Sequence, residues 1–171
     1  RTDYEETPPK GFFRLFPPSV DASGNALPGN KVRLKYGYVV ECVGATKDIA
    51  TGAMLVRTRL IKDTKSGTPG ADSVKAKAAI TWVSLASGVS AEVRLYDRLF
   101  SDPNPDAGGK DFIEALNPNS LKVVTAYVEP SLAAAQPDQK FQFERFGYFV
   151  ADRVDHVAKV KPVFNRVTGL K

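Results

Sequence analysis

Alternation of polar and apolar residues with a period of two is the feature that most limits what this 171-residue chain can fold into. In the run 31–35, Lys-Val-Arg-Leu-Lys, basic and apolar side chains alternate strictly. Successive side chains of a strand point to opposite faces, so this run predicts a strand with one basic and one apolar face. Strands are also predicted at 53–61, 77–83, 91–100, 120–128, 140–151 and 162–167.

Clusters of proline, glycine and asparagine separate these runs, as at 28–30, 66–70 and 102–105. Such clusters interrupt both helices and central strands. Helix is predicted only at 111–116 and at 131–135, the second with Ser131 as its N-cap. Many short strands joined by turns are typical of barrels, so we expect an all-β fold.

The positive charge of the chain is unevenly distributed. The sequence has 24 Lys and Arg against 19 Asp and Glu, a net charge of +5. Residues 10–100 carry a net charge of +7 and residues 1–9 a net charge of −2. Residues 101–171 have equal numbers of basic and acidic residues and so a net charge of zero. An excess of this kind favours an anionic partner, most often nucleic acid. The alternative is an ordinary solvated surface that happens to be basic.

The residues needed for a catalytic or metal site are not found together. The single histidine, His156, stands near Asp152 and Asp155, but a transition-metal site would need further nitrogen or sulfur ligands. Cys42 lies in an apolar run and is expected to be a small buried hydrophobe. One cysteine without an intrachain partner fits a reducing compartment such as the cytoplasm. We find no phosphate-binding glycine motif and no apolar run long enough to span a membrane.

Aromatic residues interleaved with basic ones point to single-stranded RNA. Arg14 stands among phenylalanines, and Arg33 and Lys35 adjoin Tyr36 and Tyr38. Proteins read unpaired RNA bases by stacking and by hydrogen bonds to base edges, which the planar arginine fork suits. RNA binding by this basic, aromatic set is therefore predicted. The alternative is that the aromatic side chains are core and the charges are solvated.

Longer motifs give the chain a family resemblance. They are Ile-Thr-Trp-Val-Ser at 80–84, Glu-Val-Arg-Leu-Tyr-Asp-Arg-Leu-Phe-Ser at 92–101, Pro-Asn-Pro at 103–105, Phe-Gln-Phe-Glu-Arg-Phe-Gly-Tyr-Phe at 141–149 and Pro-Val-Phe-Asn-Arg at 162–166. Over essentially its whole length the chain resembles the C-terminal anticodon-binding region of bacterial glutaminyl-tRNA synthetases.

The resemblance implies two β-barrels, a distal one inserted into a proximal one, of a kind shared with some ribosomal proteins. It assigns residues 1–9 to a connecting segment, 10–100 to the distal barrel and 101–171 to part of the proximal barrel. The remaining proximal strands and the catalytic domain, which uses ATP with magnesium, are expected to lie outside this chain. The fragment itself is expected to hold no cofactor and no catalytic residue, and to act as a cytoplasmic monomer with that domain in cis.

The resemblance also implies a partner, the anticodon loop of the tRNA for glutamine. Arg14 matches an arginine that contacts an anticodon base, and Lys35 stands where the family often has an arginine for the wobble base. A lysine keeps that charge but loses the paired fork. Gln142 and Arg145 match anticodon-loop contacts. Their odd spacing puts them on opposite faces of a straight strand, so both reach RNA only at a bulge or a strand end.

Other functions stay open at this point. One is the anticodon-binding domain of a glutamyl-tRNA synthetase, although the run 94–100, Arg-Leu-Tyr-Asp-Arg-Leu-Phe, favours the glutaminyl type. Another is a ribosomal-RNA-binding protein with the same barrel fold. A hydrolase acting alone is the weakest alternative, because no nucleophile and base occur together in a recognisable motif.

Overall fold

Strands dominate the computed structural model, which describes residues 2–170. The helical segments are three short 3₁₀ turns at Ala107–Gly109, Phe112–Ala115 and Pro130–Ala134. The predicted all-β class is thereby confirmed. No helix within 2–170 has both the length and the apolar character needed to cross a membrane. The chain divides into two units, the first ending at Trp82 and the second beginning at Val83.

The first unit contains a four-stranded sheet and a small separate hairpin. The strands are β1 (Ser19–Val20), β2 (Ala26–Leu27), β3 (Lys31–Leu34), β4 (Val39–Lys47), β5 (Met54–Leu60) and β6 (Ala79–Ile80). The sheet runs in the order β5-β4-β3-β6, with β3 antiparallel to β4 and parallel to β6. The exposed hairpin of β1 and β2 lies in the proline-bounded segment 17–29, where no strand was predicted.

The apolar face of β3 builds the core of the first unit. Val32 is completely buried and Leu34 packs beside it, so the alternation predicted from the sequence is confirmed. Cys42 on β4 belongs to the same core. Its burial raises the pKa of the thiol, as expected for a small hydrophobe held away from water.

The second unit is a five-stranded sheet with an aromatic core. Its strands are β7 (Val89–Tyr96), β8 (Leu121–Val128), β9 (Lys140–Phe143), β10 (Gly147–Ala151) and β11 (Val163–Thr168). The order is β8-β7-β11-β10-β9, and only the pair β7 and β11 is parallel. Phe164 is fully buried at its centre, with ring centroids of Phe141 and Phe143 at 5.8 and 5.4 Å.

The division between the units differs from the boundary at residue 100 that the sequence analysis used. Strand β7 pairs with β8 along its whole length and with β11 on its other side. Residues 89–96 therefore belong with the second unit, and the division follows Trp82. Within residues 2–170 both sheets are open, with β8 and β9 as edges of one and β5 and β6 as edges of the other.

Three local predictions need correction. The strand predicted at 77–83 shortens to the two residues of β6, because only Arg33 and Leu34 of β3 pair with it. The predicted 140–151 strand is two strands, β9 and β10, joined by a turn. The second helical segment begins at Pro130, and Glu129 occupies the N-cap position without a side-chain hydrogen bond. Ser131 is therefore not the N-cap.

Candidate nucleic-acid interface

Arg14 is held beside the start of the chain in the first unit. Its Nη1 donates to the carbonyl oxygen of Thr2 at 2.7 Å and lies 3.1 Å from the carboxylate of Asp3. The Arg14 side chain is 18% exposed. Both of these contacts use Nη1, and no hydrogen bond from Nη2 or Nε to another residue of 2–170 is found. The guanidinium is thus oriented by the protein and still able to bind a ligand.

Arg33 donates hydrogen bonds to the protein from both of its Nη atoms, whereas Arg14 uses only Nη1. Its Nη1 donates to the carbonyl oxygen of Thr64 at 2.8 Å, and its Nη2 donates to that of Ala71. Longer contacts of 3.4 Å reach Gly37 and Ser66. Both main acceptors lie in the segment 61–71 that follows β5, so Arg33 braces this segment against the sheet. The predicted basic face of β3 exists, but this arginine points its donors at backbone carbonyls.

Lys35 lies directly after β3, in the turn that leads to β4. Its Nζ is 5.4 Å from the ring centroid of Tyr36, which is 72% exposed and has a φ of 60°. The carbonyl oxygen of Lys35 accepts a hydrogen bond from Nε1 of Trp82 at 3.0 Å. This turn therefore presents a cation and two exposed aromatic rings together. The sequence indicated Lys35 and Tyr36, whereas the role of Trp82 at this surface was missed.

Gln142 and Arg145 lie on the β9–β10 hairpin of the second unit. Phe141 and Phe143 face the core, so Gln142 between them is exposed, opposite Tyr148. Strand β9 ends at Phe143, and Arg145 occupies the following turn with a φ of 71°. The strand end that the odd spacing required is thus present. The sequence analysis did not single out the exposed Tyr148 beside it.

A cleft of about 410 Å³ in the first unit was not predicted from the sequence. We call it the Phe13 cleft; its lining residues are Phe12, Phe13, Phe16, Pro28, Gly29, Asn30, Lys31, Lys75 and Lys77. The Nζ of Lys77 lies 5.2 Å from the ring centroid of Phe13. Lys75 and Lys77 are exposed alternate residues of the segment before β6. Their spacing of two was the available sequence signal, since such residues share one face of an extended chain.

The charged cluster around His156 holds the second unit together. The Val163 N–H donates to Nδ1 of His156 at 3.1 Å, and Nε2 lies 2.9 Å from the carbonyl oxygen of Ala135. Asp152 and Asp155 both bind Arg94, at 3.3 and 2.6 Å. Hydrogen bonds to Asp155 and then to Glu92 raise the pKa of Arg94. Every member of this cluster thus has a structural partner. No group of three potential metal ligands occurs within residues 2–170.

The chain is similar to known tRNA synthetases. Residues 79–152 match the family described as the anticodon-binding domain of class I tRNA synthetases, E and Q. The chain is 62% identical over all 171 residues to a glutamine–tRNA ligase of Cupriavidus taiwanensis. It is 61% identical to that of Ralstonia pickettii and 54% identical to that of Bordetella avium, again over its full length.

These alignments cover 100% of the chain but only 27% or 28% of each relative. The chain thus spans about a quarter of the length of the curated relatives that it matches. The family match falls on β6 to the residue after β10, which includes the hairpin of Gln142 and Arg145. Residues 79–152 thus match the anticodon-binding domain family of the class I tRNA synthetases for glutamate and glutamine, and the whole chain is similar to glutamine–tRNA ligases.

Proposed function

We propose that this chain is the anticodon-recognition module of a glutamine–tRNA ligase and binds the anticodon loop of the tRNA for glutamine. The observation that carries the proposal is 62% identity along the whole chain to such a ligase. The family match alone covers synthetases for both glutamate and glutamine. The similarity to glutamine–tRNA ligases supports specificity for the tRNA of glutamine.

The charge distribution supports a polyanionic partner. Residues 1–82 contain 13 basic and 8 acidic residues, a net charge of +5, and residues 83–171 contain 11 of each. The first unit therefore carries the whole excess. Binding that neutralises phosphates releases counterions, so the logarithm of affinity should fall with the logarithm of salt concentration by ~0.7 per single-strand phosphate contacted.

Base reading is assigned to Arg14, Gln142 and Arg145. Nη2 and Nε of Arg14 can reach a base edge while Nη1 stays on Thr2. The exposed amide of Gln142 offers both a donor and an acceptor, and Arg145 follows it in the same hairpin. Lys35 supplies charge beside exposed rings. Arg33 contributes through the segment 61–71 that it braces.

The longer protein is proposed to be a complete glutamine–tRNA ligase, with ATP and magnesium bound by a catalytic domain outside these residues. In that protein the first unit corresponds to the distal barrel and the second unit to part of the proximal barrel. Strands supplied from elsewhere in the longer chain would cover the open edges of the second sheet. The ligase is proposed to act as a cytoplasmic monomer.

A competition experiment tests the proposal. A fluorescent anticodon stem-loop of glutamine tRNA is bound to the chain and displaced by the same unlabelled loop, by the glutamate loop, or by a ribosomal RNA hairpin of similar size. We expect the glutamine loop to compete best, by about 10-fold or more, since one well-made contact to a base edge discriminates by about 1–3 kcal/mol. Equal competition by all three RNAs would reduce the interaction to nonspecific electrostatics and contradict the proposal.

A further inference from the structure

The Phe13 cleft combines aromatic and positive groups without a carboxylate. Three phenylalanines and three lysines contribute to its lining, and no acidic side chain among the described residues does. None of the ammonium groups of Lys31, Lys75 and Lys77 takes part in an ion pair within residues 2–170. Glu41, which faces Lys31 across β3 and β4, is bound to Arg59 instead. The cleft is therefore a site of uncompensated positive charge.

The walls of the cleft are fixed by Asn30 and by a close backbone approach at Gly29. The side chain of Asn30 donates to the carbonyl oxygens of Phe13 at 2.8 Å and Arg14 at 2.7 Å. The Asn30 N–H donates to the carbonyl oxygen of Phe16 at 3.1 Å. Gly29 is buried, and a Cβ there would lie 2.0 Å from the carbonyl oxygen of Cys42. One asparagine and one close backbone approach thus hold the segment 13–16 in place before any ligand binds.

The ring of Phe13 lies at the surface of the first unit. It is 46% exposed, and it takes no part in the core of the first unit. The charge of Lys77, 5.2 Å from its centroid, is attracted to the ring and favours one orientation of it. An exposed ring with cations beside it is the combination with which proteins bind single-stranded nucleic acid, the base stacking on the ring and the phosphates meeting the cations.

We propose that the Phe13 cleft binds one unpaired RNA base, stacked on Phe13, with Lys31, Lys75 and Lys77 contacting the flanking phosphates. This inference rests on the proposed function, because it takes the RNA partner from there. An acidic peptide would satisfy the lysines but would leave the aromatic ring without a stacking partner. The volume of about 410 Å³ lies within the range of small-molecule sites, so the cleft has room for one unpaired base.

The experiment uses the full chain and RNA hairpins with the glutamine anticodon. Each hairpin carries the fluorescent base 2-aminopurine at one unpaired loop position, since stacking quenches its emission. Phe13→Leu removes the aromatic face and keeps an apolar side chain, whereas Phe13→Tyr keeps the face. Lys77→Gln removes one charge, and Lys47→Gln, at the exposed end of β4, is its matched control. Trp82 fluorescence during urea denaturation verifies that each variant is folded.

We expect quenching at one loop position in the parent chain. Phe13→Leu should abolish that quenching and lower affinity by about 10-fold, whereas Phe13→Tyr should retain both. Lys77→Gln should make the salt dependence shallower by ~0.7 in logarithmic slope, and Lys47→Gln should leave it unchanged. Because Lys77 is exposed, Lys77→Gln should leave the fold intact. The salt-dependence test therefore remains if Phe13→Leu proves unstable.

Two results would overturn the inference. One is that folded Phe13→Leu binds and quenches like the parent chain. The other is that a polyglutamate peptide displaces the hairpin from the parent chain but not from Lys77→Gln, which would assign the cleft to acidic peptides. Loss of preference for the glutamine loop with Phe13-dependent quenching retained would refute the proposed function and leave the cleft assignment standing.

Discussion

Replacing Arg33 with glutamine is predicted to loosen the segment 61–71 and destabilise the first unit. The guanidinium donates from two different nitrogens to the carbonyl oxygens of Thr64 and Ala71. A glutamine amide is shorter, uncharged and has a single nitrogen, so it cannot hold both acceptors. Glutamine still keeps a polar side chain on the same face of β3.

The size of the effect follows from these two hydrogen bonds. A hydrogen bond from a charged donor contributes about 1.5–3 kcal/mol when the acceptor would otherwise be left unsatisfied. Arg33 is only half-buried, so water can reach the freed carbonyls and the two losses will not add fully. We expect the free energy of unfolding of the first unit to fall by about 2 kcal/mol.

Trp82, the single tryptophan of the chain, makes the assay selective for the first unit, because its indole is bonded to the Lys35 carbonyl there. Urea denaturation followed by tryptophan fluorescence gives the change in stability. Hydrogen exchange at the Ser66 amide, which donates to the Gly37 carbonyl, reports the segment directly. The matched control is Arg57→Gln on β5, which has no ion pair within residues 2–170 and should change stability by less than ~0.5 kcal/mol.

A different outcome would refute the bracing role. If Arg33→Gln unfolds at the parent urea concentration with unchanged exchange at Ser66, the two hydrogen bonds do not hold the segment. If RNA affinity nevertheless falls in that variant, the guanidinium acts on RNA directly, as the sequence pattern alone suggested.

Three further predictions concern single residues. Gly147→Ala should destabilise the second unit by more than ~2 kcal/mol in calorimetry, because φ is 141° and a Cβ would lie 2.3 Å from the Thr168 carbonyl oxygen; an unchanged melting temperature would contradict this. Hydrogen bonds, foremost from the Asp155 N–H, lower the pKa of Asp152 to about 2. Because this pKa is lower in the folded state than its unfolded value near 4, the ionised carboxylate stabilises the folded protein above about pH 4. Stability on the order of 2 kcal/mol should therefore be lost as the pH falls from about 4 to 2, and Asp152→Asn should remove that dependence. Arg14→Ala should reduce discrimination between matched and one-base-changed anticodon loops by about 1–3 kcal/mol; equal losses for both loops would make its role purely electrostatic.

Local sequence patterns predicted most strands because each has one buried face. The alternation around Val32 and the paired Phe141 and Phe143 fix which side chains point inward, and those faces are the ones that the structure buries. The alternation did not predict the turn at Arg145, because 140–151 was predicted as one strand, whereas β9 ends at Phe143 and β10 begins at Gly147. Patterns with a period of two therefore predicted the fold class, but not the hairpin of the candidate site.

Features that depend on distant parts of the chain were not predictable in this way. The parallel pairing of β7 with β11 joins Glu92 to Val163, and no local sequence pattern predicts it. The division after Trp82 follows from this pairing and from that of β7 with β8. The acceptors of Arg33 lie 31 and 38 residues further along the chain, so its bracing role emerges only in the folded structure.

The Phe13 cleft was missed for a related reason. Its phenylalanines come before β1, and two of its lysines precede β6. The pairing of β3 with β6 brings these two segments of sequence near one another. A pattern search along the chain evaluates each segment separately, so it recognises neither the shared cleft nor the absence of acidic residues from its lining.

The central claim, recognition of the glutamine anticodon, is tested most directly by binding of the chain to stem-loops that differ by one base. One series changes each anticodon base in turn, and a matched series changes unpaired loop bases outside the anticodon. We predict that each anticodon change weakens binding by about 10-fold or more, while changes elsewhere have smaller effects and all loops share the same salt dependence. Equal affinity for every loop would contradict the account, because it would show that the chain binds RNA only through its charge.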